Sequence, residues 1–127
     1  MPKPLNESDL PAVDFNFLRS LRDLSEPGGD DPVIELVNMY LSDAPARVKT
    51  IQDSAQKADF EGLMQAAHTL KGSSSNLGAK RLAAYCADLE SLAHDKDEDG
   101  CRQQAIVVSQ EFGLVKSSFE EERDRGH

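Results

Sequence analysis

Residues 31–55 read DPVIELVNMYLSDAPARVKTIQDSA, and the spacing of the apolar side chains in this stretch decides the fold class. Ile34, Val37, Leu41, Ala44, Val48, Ile51 and Ala55 follow one another in alternating steps of three and four, which gathers them on one face of an α-helix. Asp31 ahead of Pro32 suits the start of such a helix. The carboxylate can accept a hydrogen bond from a free backbone N–H, and proline at the first position lacks a donor that would go unpaired anyway. Pro45 removes a donor from the middle of the stretch and its ring crowds the carbonyl four residues back, so a kink or brief break is expected there, with Asp43 placed to cap the second half.

The same period continues on both sides. Val13, Phe17, Leu21 and Leu24 predict a short helix over about residues 11–25, with Pro11 near its start and Pro27-Gly28-Gly29 at its end. Asp59 caps a third helix whose stripe, Phe60, Leu63, Met64, Ala67, Leu70, Ser74 and Leu77, runs to Gly78. Leu82, Ala83, Cys86, Leu89, Leu92 and Ala93 mark a fourth, giving out in the charged run Asp95 to Gly100, which is expected to be a solvated loop. Cys101, Ala105, Val108, Phe112, Val115 and Phe119 mark the last, before a polar tail from Glu120 to His127 that is expected to fray. With no internal repeat and no strand-like alternation, the pattern predicts an all-α fold. It is an antiparallel four-helix bundle over about residues 30–119 with an additional short N-terminal helix, in one domain of 127 residues.

Composition narrows the function. Hydrophobic residues make up 39% and aromatic residues 6%, with no Trp, so the core is built from Leu, Val, Ile, Ala and a few Phe. The 14 Lys and Arg against 23 Asp and Glu give a net charge of -9, which opposes binding to nucleic-acid backbones or anionic lipid. Cys86 and Cys101 have no CxxC spacing and no clustered histidines, so buried reduced thiols are expected and no zinc or redox site. The run from Asp95 to Asp99 lacks the ligand pattern and glycine placement of a calcium loop. No stretch reaches the ~20 apolar residues of a membrane span, and the N-terminus lacks a signal-peptide core, so the cytoplasm is the expected compartment. No phosphate-cradling GxxxxGK[ST] loop or nucleotide fingerprint occurs.

The chemistry is concentrated in Ala67-His68-Thr69-Leu70-Lys71-Gly72-Ser73-Ser74-Ser75-Asn76-Leu77-Gly78 on the third helix. At ~100° per residue His68 stands about a third of a turn from the centre of the apolar stripe, which puts its ring at the solvent edge. Lys71 and Gly72, three and four residues on, are its surface neighbours. Glycine inside a helix costs roughly 1 kcal/mol relative to alanine, and the serines beside it also favour helix poorly. A steric reason is available: with no side chain at Gly72 and small ones at Ser73 and Ser75, another protein can bring its backbone close to His68. A neutral imidazole nitrogen is a nucleophile near pH 7, the bond it forms with phosphorus is labile, and Lys71 can pair with the phosphoryl oxygens. Each feature alone is ordinary surface: a solvated His-Lys pair, a glycine packed against another helix, a polar serine run. Their conjunction is what points to a site. His94 near the end of the fourth helix reads as a cation favourable to the helix dipole, and His127 as part of the tail.

The stretch His68-Thr69-Leu70-Lys71-Gly72-Ser73-Ser74, with Gly78 beyond it, resembles the H-x-L-K-G-[SA]-[SA] signature of histidine phosphotransfer (HPt) domains. The resemblance extends from about Asp30 to Phe119. It implies that His68 accepts a phosphoryl group from an aspartate of one receiver domain, in a hybrid sensor kinase, and donates it to an aspartate of another, in a response regulator. The chain itself would be a phosphocarrier without autonomous kinase activity and without a cofactor or metal of its own, Mg²⁺ belonging to the receivers. Catalysis would come from the docked receiver, with Met64, Gly72, Ser73 and Ser75 as the docking patch. In the family a polar residue from the adjacent helix often orients the imidazole, and the matching position is Glu90, which reads equally as an ordinary surface acid. A monomer is expected, with neither nucleic acid nor membrane as partner. Two alternatives remain at this level: a phosphoacceptor domain of a larger chemotaxis-type or hybrid kinase, and a phosphorylation-independent helical adaptor. The start of the chain and the lack of a linker favour a free-standing protein.

Overall fold

A computed structural model of the chain describes residues 11–26 and 28–125. Segment 1–10, Pro27, Gly126 and His127 lie outside the described residues. Five helices and no strand occur among the described residues: α1 (Asn16–Leu24), α2 (Pro32–Lys57), α3 (Phe60–Asn76), α4 (Lys80–His94) and α5 (Glu98–Asp124). Helices α2 to α5 close into a four-helix bundle, α2 and α4 each packing against both α3 and α5, while α1 rests on α2. The inward faces of all five merge in one hydrophobic cluster. The largest buried side chains, Phe119, Leu18, Ile51, Leu63, Leu70, Leu82 and Leu89, each contribute about 1.5–3 kcal/mol by leaving water.

The helix starts follow local chemistry. Asp31 accepts from the Val33 N–H at 2.9 Å with Pro32 in the first position, and Asp59 accepts from the Gly62 N–H at 3.0 Å. Helix α2 runs continuously through Pro45, so of the expected kink or brief break the break does not occur. Proline removes one hydrogen bond from a ladder of 26 residues, while its neighbours Ala44 and Val48 stay buried and keep the helix on the core. Asp43 recaps nothing and instead faces Arg47 at 3.4 Å. The α2 stripe also sits slightly off the expected one: Val33 and Tyr40 are buried where Ile34 and Leu41 are half-buried. Tyr40 earns its inward place by meeting the Phe119 ring at 5.1 Å between centroids and the Ser74 hydroxyl at 2.8 Å.

Both ends of the chain depart from expectation. Helix α1 is shorter than residues 11–25 and turns a different face inward: Leu18 is buried, while Phe17 and Leu24 are 49% and 82% exposed. Long-range contacts set that orientation. The Asp14 N–H donates to Gly78 O at 2.9 Å, Phe15 meets Phe119 edge-on at 6.2 Å, and Arg19 and Arg22 reach Glu122 at 3.0 and 2.6 Å. Glu122 is therefore buried, and α5 continues to Asp124 where a fraying tail after Phe119 was expected. The charged run is also only partly a loop. Asp97 accepts from the Gly100 N–H at 2.9 Å, and Glu98 and Asp99 form the first turn of α5, where negative charge suits the helix dipole.

Candidate functional site

Helix α3 presents His68 to solvent with its side chain 72% exposed. Its neighbours inward on the helix, Ala67 and Leu70, are buried, so the ring stands at the rim of the bundle and not in the core. Because α3 packs along α4, a residue of α4 reaches the same rim. Glu90 places Oε2 at 3.5 Å from His68 Nδ1 and Oε1 at 2.7 Å from Lys71 Nζ. The site is thus a triad drawn from two helices: an open imidazole, an ammonium one turn further on, and a carboxylate between them. Oε1 of Glu90 is buried and makes no hydrogen bond of good geometry among the described residues, so the Lys71 charge at 2.7 Å is what offsets its burial.

Glycine at 72 answers to no packing among the described residues. A Cβ built there meets no atom of the described residues within 4 Å, which removes the reading of Gly72 as a contact with a neighbouring helix of the bundle. Ser75 is exposed and, two turns from His68 at ~100° per residue, shares its face. The ring, Lys71, Gly72 and Ser75 together form a rim with a charged edge and bare backbone. Such a surface can admit another protein close to the imidazole, and the imidazole can act there as a nucleophile toward an electrophilic phosphorus.

The sequence matches the family model described as Hpt domain over residues 35–120. The chain belongs to the Hpt domain family. It is 30% identical over 110 residues to histidine-containing phosphotransfer protein 1 of Arabidopsis thaliana, the match covering 85% of this chain and 71% of the relative. The solved structure of histidine-containing phosphotransfer protein B (HptB) from Pseudomonas aeruginosa PAO1 is similar with a TM-score of 0.80 at 31% identity, over 91% of this chain and 96% of that one. Maize ZmHP2 is similar with a TM-score of 0.78 at 29% identity, over 91% and 86%. The role of this Hpt chain is phosphotransfer in a phosphorelay, as a phosphocarrier.

The remaining sequence-predicted residues of the Hpt site divide by position. Met64 is half-buried and packs against the core cluster, so only part of it faces outward. Ser73 lies ~140° around the helix from His68. Its hydroxyl donates to its own helix, at 3.2 Å to Thr69 O, and it lines a groove between α2 and α3 with Leu36, Met39 and Asn76. His94 is exposed beside Asp95 at 3.5 Å, away from the triad on the α4 end. Among the described residues no group of three or more His, Cys, Asp or Glu stands together to hold a metal ion, and no helix is long and apolar enough to cross a membrane.

Sequence reasoning missed the ion pair between Lys71 and Glu90, because residues on different helices carry no mutual spacing. It also missed the neighbourhood of Cys86, one turn before Glu90 on α4. Burial, and then the Glu90 carboxylate, push the Cys86 thiol up to about 12.

Proposed function

We propose that His68 is the phosphoacceptor of the relay, receiving the group from an aspartyl phosphate on the receiver domain of a hybrid sensor kinase and passing it to the aspartate of a response-regulator receiver. The observation that carries this reading is the openness of the ring, 72% exposed beside Lys71 and above a glycine that no packing among the described residues requires. With Nδ1 facing Glu90 Oε2, the ring proton belongs on Nδ1 and the lone pair on Nε2, which points the nucleophile outward. At 3.5 Å the contact is longer than a hydrogen bond of good geometry, so Glu90 acts on the ring through its charge. Glu90 is thus a positioning residue, and Lys71 the cation for the phosphoryl oxygens.

Gly72 and Ser75 form the part of the surface over which the receiver's backbone closes, with Met64 and Ser73 at its margins. The interface is a small, transient one. The chain brings no metal or nucleotide; Mg²⁺ belongs to the receiver's aspartates, and the chain has no kinase activity of its own. We place it in the cytoplasm as a monomer, with a net charge of -9 that keeps it off nucleic acid and membranes. What supports relay over adaptor is that His68, Lys71 and Gly72 stand together with the ring free to react.

Incubation with a phosphorylated receiver domain tests the reading. Label is expected on this chain as acid-labile, base-stable phosphate that maps to His68, and it is expected to be absent from His68→Gln. Label on another residue, or binding and signalling left intact by His68→Gln, rejects it.

A further inference from the structure

Glu90 turns its two oxygens toward two different members of the site, Oε2 to His68 Nδ1 at 3.5 Å and Oε1 to Lys71 Nζ at 2.7 Å. The buried Oε1 has the Lys71 ammonium to offset its charge, and that ammonium is the cation on which an incoming phosphoryl group also depends. One ammonium on one stem cannot lie against both at full strength. We propose that Glu90 competes with the phosphoryl group for Lys71, so that phospho-His68 is a poor resting place for the group and the chain is biased toward donating it. The proposal rests on His68 being the phosphoacceptor.

The charge balance of the step gives the direction. The Nε2 lone pair attacks phosphorus of the receiver's aspartyl phosphate; the Nε2–P bond forms, the P–O bond breaks, and its electron pair stays with the aspartate carboxylate. The ring keeps its proton on Nδ1, facing Oε2, and takes on the single positive charge that the new Nε2–P bond leaves on it. The phosphoryl oxygens bring about two negative charges to a rim where Lys71 is already paired with Glu90. Either Lys71 swings to the phosphoryl group and leaves Oε1 buried and uncompensated, or it stays and leaves the phosphoryl oxygens without their cation. Both outcomes weaken the phosphorylated form. Departure of the group to the next receiver restores the Lys71–Glu90 pair.

The test is the equilibrium partition of labelled phosphoryl between one receiver domain with Mg²⁺ and the full chain, measured for the wild type, Glu90→Gln, Lys71→Gln and the double variant. Glu90→Gln keeps the side-chain shape and an acceptor for Nδ1–H, and is expected to move the equilibrium toward phospho-His68 by about three- to tenfold, the size of a charge contact on a partly exposed group. Lys71→Gln is expected to move it the other way. In the Lys71→Gln background the effect of Glu90→Gln is expected to shrink below about twofold, because there is no ammonium left to compete for. Glu90→Ala provides a second removal of the charge should the glutamine variant melt early.

No shift with Glu90→Gln, a shift toward the receiver, or a full shift that persists without Lys71 each overturns the proposal. Failure of the underlying reading looks different: a folded wild-type chain then takes no label on His68 at all. Label on His68 with an unmoved equilibrium defeats the competition alone.

Discussion

Gly72 and Gly78 flank the end of α3 and are glycine for opposite reasons. Among the described residues a Cβ at Gly72 meets nothing within 4 Å, whereas one at Gly78, whose φ is +94°, runs into the carbonyl oxygen of Asp14. Gly78 joins the α3–α4 turn to the segment before α1, and its own carbonyl accepts from the Asp14 N–H at 2.9 Å. Replacement by alanine therefore separates folding from docking. Gly78→Ala is expected to lower stability by at least about 1–2 kcal/mol through backbone strain and displacement of the α1 segment. Gly72→Ala is expected to leave stability unchanged or raise it by up to about 1 kcal/mol. Gly72→Leu is expected to remain folded and yet slow transfer from a phosphorylated receiver by about tenfold or more, equivalent to roughly 1.4 kcal/mol of lost docking. Thermal denaturation alongside transfer kinetics checks all three, and a Gly72→Leu chain that transfers at the wild-type rate removes the docking role.

What local chemistry could write into the sequence is where reading it succeeds. The caps at Asp31 and Asp59 and the stripes of α3, α4 and α5 depend on neighbours within a few residues, and the structure keeps them. The site residues His68, Lys71 and Gly72 were legible for the same reason, since they share one helix face. Glu90 was reachable only through family resemblance, because its partners lie on another helix. The ends of the chain failed together: Arg19 and Arg22 fix the face of α1, and Glu122 extends α5, through contacts spanning about a hundred residues that no window of sequence contains. Tyr40 was passed over for a related reason. An aliphatic stripe does not disclose that a phenol can be buried once its hydroxyl pairs with that of Ser74 on another helix.

That Tyr40–Ser74 bond, 2.8 Å long and inside the core, gives a second prediction. Tyr40→Phe keeps the ring against Phe112 and Phe119 but leaves the Ser74 hydroxyl without its tyrosine partner, and is expected to cost about 1 kcal/mol. Ser74→Ala is expected to cost about as much or more, stranding a larger polar group. The double variant is expected to be less unstable than the sum of the two, since neither partner is then left over. Strict additivity in urea denaturation shows that the bond contributes nothing.

The thiols offer a chemical probe of the same core. Cys86 is buried, and burial followed by the Glu90 charge holds its thiol up to about 12; burial and then Asp97 raise Cys101 as well. The thiolate is the reactive form, so both cysteines are expected to resist a disulfide-exchange reagent at pH 8 in the folded chain and to react fully in denaturant. Prompt reaction of Cys86 in native buffer shows instead that α4 opens away from α3.

The Glu122 clasp connects stability to pH. Burial raises its carboxyl, but hydrogen bonds and charge from Arg19 and Arg22 outweigh that and hold it below its ordinary value of 4.5. A group with a depressed folded pKa stabilises above its unfolded value, and that stabilisation is lost as pH falls through the folded one. The clasp is therefore fully present at neutral pH and is expected to fade only below about pH 4.5. Glu122→Gln is expected to lower stability at pH 7 by about 1–3 kcal/mol, since Arg22 keeps Asp31 at 2.9 Å as a remaining partner. The gap between wild type and variant is expected to narrow as the pH is taken below 4.5 and the wild-type carboxyl takes up its proton. A gap of constant size from neutral to acid pH in denaturant titrations shows that the side chain acts there by packing and not by charge. Because the clasp holds α1 against the end of α5 while His68 stands on the α3–α4 face, transfer rates in Glu122→Gln at pH 7 are expected to stay within about twofold of wild type, additivity being the rule for separated sites.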